Sequence, residues 1–231
     1  MTKSHLKRLA SPRTWPIEKK ALTYVSRPHP GPHPMDHQIP ITVFLRDMVK
    51  VLKTAKEVKY VLHNRDCLVD GTVCHDDKRP VGLFDVITLP KLNKSFRILI
   101  NKKNKLYGKE VSEKEASIKV SKLVGKTTLK KGIIQLNTLD GRNVRSEKDY
   151  PMDSSLVLSL PDQKVTDVLA LDKGASILLI GGSHVGVVGT IEAVDGENIV
   201  VRSKDKVLKT MKRFAVVVGK DKPVIEVEVS K

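Results

Sequence analysis

The stretch "LRDMVKVLKTAKEVKYVLHNRDCLVDGTV", residues 45–73, changes its apolar period part-way along, and that change decides the fold read around it. Including the residues just upstream, Ile41, Leu45, Met48 and Leu52 recur at helical spacing. "TAKE" then opens a second helix. Thr54 can cap the backbone and Glu57, three residues on, can close a capping box, with Val58, Val61 and Leu62 as the apolar stripe. "CLVDGTVC" follows, with Asp70-Gly71 between β-prone runs, a strong hairpin signal. The segment therefore predicts two helices over 41–64, then a strand and a hairpin. Their outer faces are basic: Arg46, Lys50 and Lys53 at i, i+4 and i+7, then Lys56, Lys59 and His63 at i, i+3 and i+7. A charged helix face is ordinarily only solvated, but two adjoining faces of one sign favour a polyanion.

The whole chain carries the same bias. Its 231 residues include 42 Lys and Arg against 26 Asp and Glu, a net charge of +16. Solubility alone does not require so one-sided a surface, and nucleic acid is the partner it favours. Hydrophobic residues make up 40% and aromatic residues only 4%, which points to small β-rich modules with aliphatic cores. Cys67 and Cys74 are the only cysteines and lack Cys-x-x-Cys spacing, so buried free thiols are expected and not a disulfide scaffold. The N-terminus has no apolar run resembling a signal peptide, and no window approaches a membrane span. A soluble, cytoplasmic protein is expected.

Residues 1–40 read as a basic arm. Lys3, Lys7, Arg8, Arg13, Lys19, Lys20 and Arg27 face only Glu18 and Asp36 there, and prolines at 12, 16, 28, 30, 32, 34 and 40 favour extended polyproline geometry. Trp15, the only tryptophan, is expected to pack against the body. His29, His33 and His37 stand four apart, a spacing that on a helix would gather three rings as metal ligands. The intervening prolines remove that helix and turn the rings in different directions, so His29 and His33 are expected to meet RNA and no metal is expected.

From residue 83 onward short β-prone runs follow one another: "FRILI", "ASIKVSKLV", "GIIQLNTL", "SILLI", "VGTIEAV", "NIVVRS", "AVVVG" and "VIEVEV", separated by turns and lysine-rich tips such as "NKKNK". Within residues 176–203, "SILLIGGSHVGVVGTIEAVDGENIVVRS" reads strand, glycine loop, strand, Asp-Gly turn, strand. No Lys-Ser pair follows its glycines and no helix opens there, which excludes a nucleotide P-loop; a Rossmann turn fails because β-like "GTIEAV" stands where a helix is needed. A glycine-rich barrel corner with no binding duty is the competing reading of Gly182, Gly186 and Gly189.

These motifs carry a resemblance. The 45–73 run resembles the S4-type RNA-binding fold, in which two short helices present cations to a phosphate backbone above a strand and its hairpin. Arg65 stands where that fold usually has glycine and adds a cation at the RNA-facing edge. Gly182, Gly186 and Gly189 follow the spacing of the KOW motif, an SH3-like barrel element. With "HLKRLASPRTWPI", "RPHPGPHP", "PVGLFDVI" and "AVVVGKDKPVIEV" in the same order, the chain is similar nearly end to end to the small-subunit ribosomal protein S4e family of archaea and eukaryotes, with a length nearer the archaeal members.

The resemblance implies an α+β, multidomain protein: an arm at 1–40, an S4-like helix-helix-β RNA-binding domain at 41–90, a central β-rich domain at 91–170 and an SH3-like KOW barrel at 171–231. It implies a structural constituent of the small ribosomal subunit, with rRNA and neighbouring ribosomal proteins as partners, and no membrane, cofactor or small-molecule substrate. The competing functions are an S4-domain RNA-modifying enzyme and a KOW-type transcription factor. "LDGRN" reverses the Gly-Arg…Asp order such an enzyme would need, and Asp76-Asp77 lies in a polar loop, so no catalytic constellation stands out.

Overall fold

Thr54 begins a regular helix because its side chain accepts the Glu57 backbone N–H while Glu57 reaches back to the Thr54 N–H, the capping box read from the sequence. That helix, preceded by a one-turn helix, belongs to the first of two packed units in the computed structural model, which describes residues 5–203, 206–220 and 223–227. The units are Met1–Leu99 with Lys105–Ser117, and Ile100–Asn104 with Ile118–Lys231. Both are predominantly β, with few helices.

In the first unit, strands β1 (Leu6–Lys7) and β2 (Tyr24–Val25) pair as a small ribbon, and β3 (Gln38–Pro40) pairs with a later strand described below. Helix α1 (Ile41–Val43) runs into a wider π-type turn, Phe44–Met48, closed by the Val49 N–H on the Phe44 carbonyl at 3.0 Å. Lys50 follows at φ +58° and ends the element. The long first helix expected from Leu45, Met48 and Leu52 therefore stops before Lys50. Helix α2 (Ala55–His63) buries Val58 and Leu62, as its stripe predicts.

The hairpin strands β4 (Leu68–Val69) and β5 (Thr72–Val73) turn through Asp70-Gly71, both at positive φ. β6 (Pro80–Gly82) pairs with β3, and β7 (Val86–Leu89), β8 (Lys94–Ile100) and β9 (Leu106–Val111) complete a sheet of order β5-β4-β7-β8-β9. Lys94–Val111 thus supplies two of that sheet's five strands. Trp15 is fully buried and its Nε1–H donates to the Gln38 carbonyl at 2.7 Å, so it anchors the arm as expected. Phe44 and Phe96 meet edge-on at 6.3 Å in the same core.

A short helix α3 (Glu113–Ala116) precedes the second unit's strands. β10 (Ile118–Thr128) is long enough to change partners: its first half pairs with β13 (Ser155–Ser159), its second with β11 (Ile134–Thr138), across a bulge between Leu123 and Gly125. With β12 (Asn143–Ser146) and β14 (Lys164–Leu169) the order is β12-β11-β10-β13-β14, a curled half-barrel around Leu123, Leu136, Leu156 and Leu158.

The last sheet runs β18-β17-β16-β15-β19, from β15 (Ser176–Leu179), β16 (Val188–Asp195), β17 (Asn198–Ser203), β18 (Lys206–Met211) and β19 (Ala215–Gly219). The "VIEVEV" strand does not form over its described part. Ile225 and Val227 are buried there as an irregular segment, joined to β19 by the Val224 N–H on the Val218 carbonyl at 2.8 Å.

Candidate nucleic-acid interface

Helix α2 places its cations by simple periodicity. With Val58 and Leu62 turned to the core, Lys56, Lys59 and His63 fall on the exposed side, and Lys53 stands just before the cap. Lys59 reaches Asp77 at 3.7 Å, an exposed pair that leaves most of its charge available to another ligand. Tyr60, 69% exposed, lies among these cations. The sequence reading did not single it out, although i, i+3, i+4, i+7 spacing ties Lys56, Lys59, Tyr60 and His63 to one face.

Arg65 caps the far end of this helix. Its N–H bonds the Leu62 carbonyl at 3.1 Å and the next N–H, of Asp66, bonds Val61 at 3.1 Å, the paired bonds of a Schellman motif. Arg65 itself takes the left-handed conformation, φ +63°, that glycine would adopt at less cost. The departure noted in the sequence is thus resolved in favour of the glycine geometry with an exposed guanidinium upon it. Lys50 repeats the device after the π-type turn, at φ +58° with the Val51 N–H on the Leu45 carbonyl at 3.1 Å.

Arg46, Lys50 and Lys53 do not share a helix face, because the helix that would align them has ended. Arg46 is half-buried against Asp47, its Nε–H donating to Oδ1 at 3.0 Å and its Nη2–H to Oδ2 at 2.7 Å. That hydrogen bond raises the Arg46 pKa above its ordinary value.

The arm's residues divide. Lys7, Arg13 and Lys20 are exposed, Arg27 is half-buried, and Lys3 lies outside the described residues. Lys19 turns inward: its ammonium donates to the Ser11 carbonyl and to Ser11 Oγ, and burial, then Lys105 and Arg13, lower its pKa. Arg8 is only 5% exposed, with Nη2 3.6 Å from Asp47 Oδ2.

His29 and His33 have separate carboxylate partners. His29 pairs with Asp76 at 2.8 Å near the surface. His33 is enclosed, its Nε2 3.1 Å from Asp85 Oδ2, which also accepts the Gly82 N–H at 2.8 Å. A Cβ on Gly82 would come within 2.3 Å of the His33 ring, so that glycine makes room for the imidazole. His33 therefore ties the strap to the β6–β7 turn and has little of its ring at the surface, unlike the exposed His29.

The three glycines of the 176–203 run each have a reason inside the second unit. Gly182, at φ +78°, lies beside the Phe214 ring. A Cβ on Gly189 would sit 2.5 Å from the Arg202 carbonyl oxygen across the hairpin. Gly186, at φ +72°, packs onto backbone, its added Cβ falling 2.3 Å from the Asn101 carbonyl carbon. The exposed Lys102 and Lys103 of the same tip thus stand next to the glycine loop, a placement no local pattern announced.

Comparison with known proteins gives this surface its context. Residues 92–165 match the family described as Ribosomal family S4e, and residues 2–36 match the RS4NT (NUC023) domain. The chain is 38% identical over 97% of its length to the small ribosomal subunit protein eS4 of Methanosphaera stadtmanae, covering 95% of that protein. The chain belongs to ribosomal family S4e. The eS4 of Archaeoglobus fulgidus is 38% identical to it, with 99% of this chain and 100% of that one aligned, and these S4e relatives are archaeal. In three dimensions the crystal structure of the 30S ribosomal protein S4e from Thermoplasma acidophilum superposes with a TM-score of 0.69 at 26% identity, over 80% of this chain and 96% of that one. As a member of a ribosomal protein family, the S4e chain is a structural component and not an enzyme, which sets aside the RNA-modifying alternative. Among the described residues no helix is long and apolar enough to cross a membrane.

Proposed function

We propose that this S4e protein binds small-subunit rRNA through helix α2 and the two turns that flank it, assisted by the exposed cations of the arm. The observation that carries the reading is the exposure of Lys50, Lys53, Lys56, Lys59 and Arg65 along one continuous piece of chain, with Lys50 and Arg65 held in a conformation that disfavours side chains. Strain retained at two cations is more readily understood if the charges serve a ligand. Phosphate contacts of this kind set position and orientation without reading bases.

The α1–α2–β4–β5 run corresponds, in this reading, to an S4-like module, with a central β-rich module and a KOW-type barrel beyond it, whose glycine loop lies beside the Lys102–Lys103 tip of the β8–β9 connection. Neighbouring ribosomal proteins and the small subunit itself would be its other partners, and the cytoplasm its place.

The test is a salt series with the full chain on small-subunit rRNA fragments. Replacing Lys50, Lys53 and Lys59 with glutamine is expected to weaken binding to all fragments and flatten the slope of log K against log salt by about 2 to 3, near one per phosphate contact. An unchanged slope would mean that these side chains are merely solvated. Co-sedimentation with small subunits supplies the independent check.

A further inference from the structure

Beside this face the arm and the α1–α2 connection enclose an open cleft of about 550 Å3, within the range that holds small ligands. Its two sides differ in chemistry. Pro16, Ile17 and Leu52 supply an apolar wall, while Arg8, Arg46, Lys50 and Lys53 bring four cations against the carboxylates of Asp47 and Glu18. Arg8 matters most. It is 5% exposed and its Nε has no hydrogen-bond partner among the described residues, although its Nη2 lies 3.6 Å from Asp47. Nε is closed to solvent, but the terminal nitrogens have only the long Asp47 pair, and a bidentate oxyanion in the cleft is the ligand suited to them. Lys50 lines the same cleft from its left-handed backbone, where glycine would be cheaper and would leave no charge.

We propose that this cleft receives a single unpaired nucleotide of the bound RNA, its phosphate on Arg8 and Lys50 and its base against Pro16, Ile17 and Leu52. The inference rests on the RNA-binding reading and deepens it, from backbone contact to capture of an extruded nucleotide. A bare phosphate would leave the apolar wall unused, and an apolar ligand would leave Arg8 unsatisfied; a nucleotide uses both. Unpaired bases are the part of RNA that proteins take into pockets, since paired bases are already stacked. Asp47 and Glu18 leave a net positive cleft and place acceptors where a base could donate.

Adenosine 5′-monophosphate titrated into the full chain tests the cleft without relying on RNA affinity. In ¹⁵N NMR spectra, the amide signals of Ile17, Ala21, Lys50 and Lys53 are expected to shift, with affinity about tenfold above inorganic phosphate or adenosine. Lys50→Gly, whose backbone conformation suits glycine, is expected to lose roughly tenfold in this affinity with no fall in melting temperature. Ala21→Trp, at an exposed position on the cleft's edge, is expected to block it. No shift at these amides, shifts elsewhere only, or equal affinity for inorganic phosphate would overturn the proposal. A second arm compares rRNA hairpins with and without a single-nucleotide bulge. About tenfold preference for the bulged form, lost in Ala21→Trp, supports capture from RNA, and equal binding of both hairpins overturns it. Failure of both hairpins to bind, with the mononucleotide shifts intact, would overturn the RNA-binding reading and leave a nucleotide site.

Discussion

Arg65 is where charge and backbone strain meet. Replacing it with glycine keeps the Schellman bonds and removes the left-handed penalty, offset in part by glycine's freedom in the unfolded chain. Arg65→Gly is therefore expected to raise stability by up to about 1 kcal/mol, read from urea unfolding, while lowering affinity for rRNA. A loss of stability would mean that the guanidinium is held by packing and not by function. Cys67 gives a second expectation at this scale. Burial, with Cys74 adding to it, pushes its thiol up to about 12 from a usual 9.0. The folded state then keeps a proton that the unfolded state gives up above pH 9, so stability falls as pH rises from about 9 towards about 12. At pH 8 a thiolate-directed reagent should leave Cys67 unmodified until denaturant is added. What the sequence made legible at single residues followed local rules, as with the Thr54 cap and the Asp70-Gly71 turn. His33 escaped because its partner, Asp85, lies 52 residues away and no local pattern joins them.

Helix α2 and its cap form an element whose existence, faces and start were all readable, because capping and periodicity are settled within a few residues. Thr54→Ala is expected to cost about 1 kcal/mol, with the loss concentrated in amide exchange of α2. The backbone N–H groups of Lys53 and Thr54, with the Thr54 hydroxyl, hold the Glu57 carboxyl below its ordinary range. Its contribution to the helix start is thus present above the unfolded pKa and lost as pH falls through the lower folded one. The preceding helix was less legible: Met48 and Leu52 keep helical spacing, yet the chain widens into a π-type turn and leaves at Lys50. Strands β9, β12, β13, β14 and β18 also went unread, being short, polar or irregular in alternation. β10 was legible as the run "ASIKVSKLV", but its buried charge was not. Lys119, 1% exposed, meets Asp140 at 2.9 Å, and Ser121 donates to the same carboxylate at 2.8 Å, a pairing between residues about 20 apart that no local pattern announces. Lys119→Ala removes one of two cations from that carboxylate, Arg142 Nε remaining at 3.2 Å, and is expected to destabilise the protein by about 1–3 kcal/mol in chemical denaturation.

For the whole molecule, two units with separate cores imply two reporters. Trp15 is the only tryptophan and belongs to the first unit, whereas far-UV circular dichroism sees the strands of both. The two signals are expected not to superimpose on unfolding, and coincident curves would show a single cooperative transition. The charge of +16 was legible from composition alone and carries the polyanion expectation by itself. Which cations converge on the cleft was not, since Arg8 and Lys50 come together only through the fold.

The close approach of Gly186 to the Asn101 backbone has a consequence in time. The lysine-rich tip leaves the ribosome about 85 residues before the glycine that packs upon it. At about 5–20 residues per second, that is an interval of roughly 4 to 17 s during synthesis. Throughout it the nascent chain displays a cationic loop whose seat does not yet exist, so the second unit closes only after its strand-turn-strand of late glycines has been made.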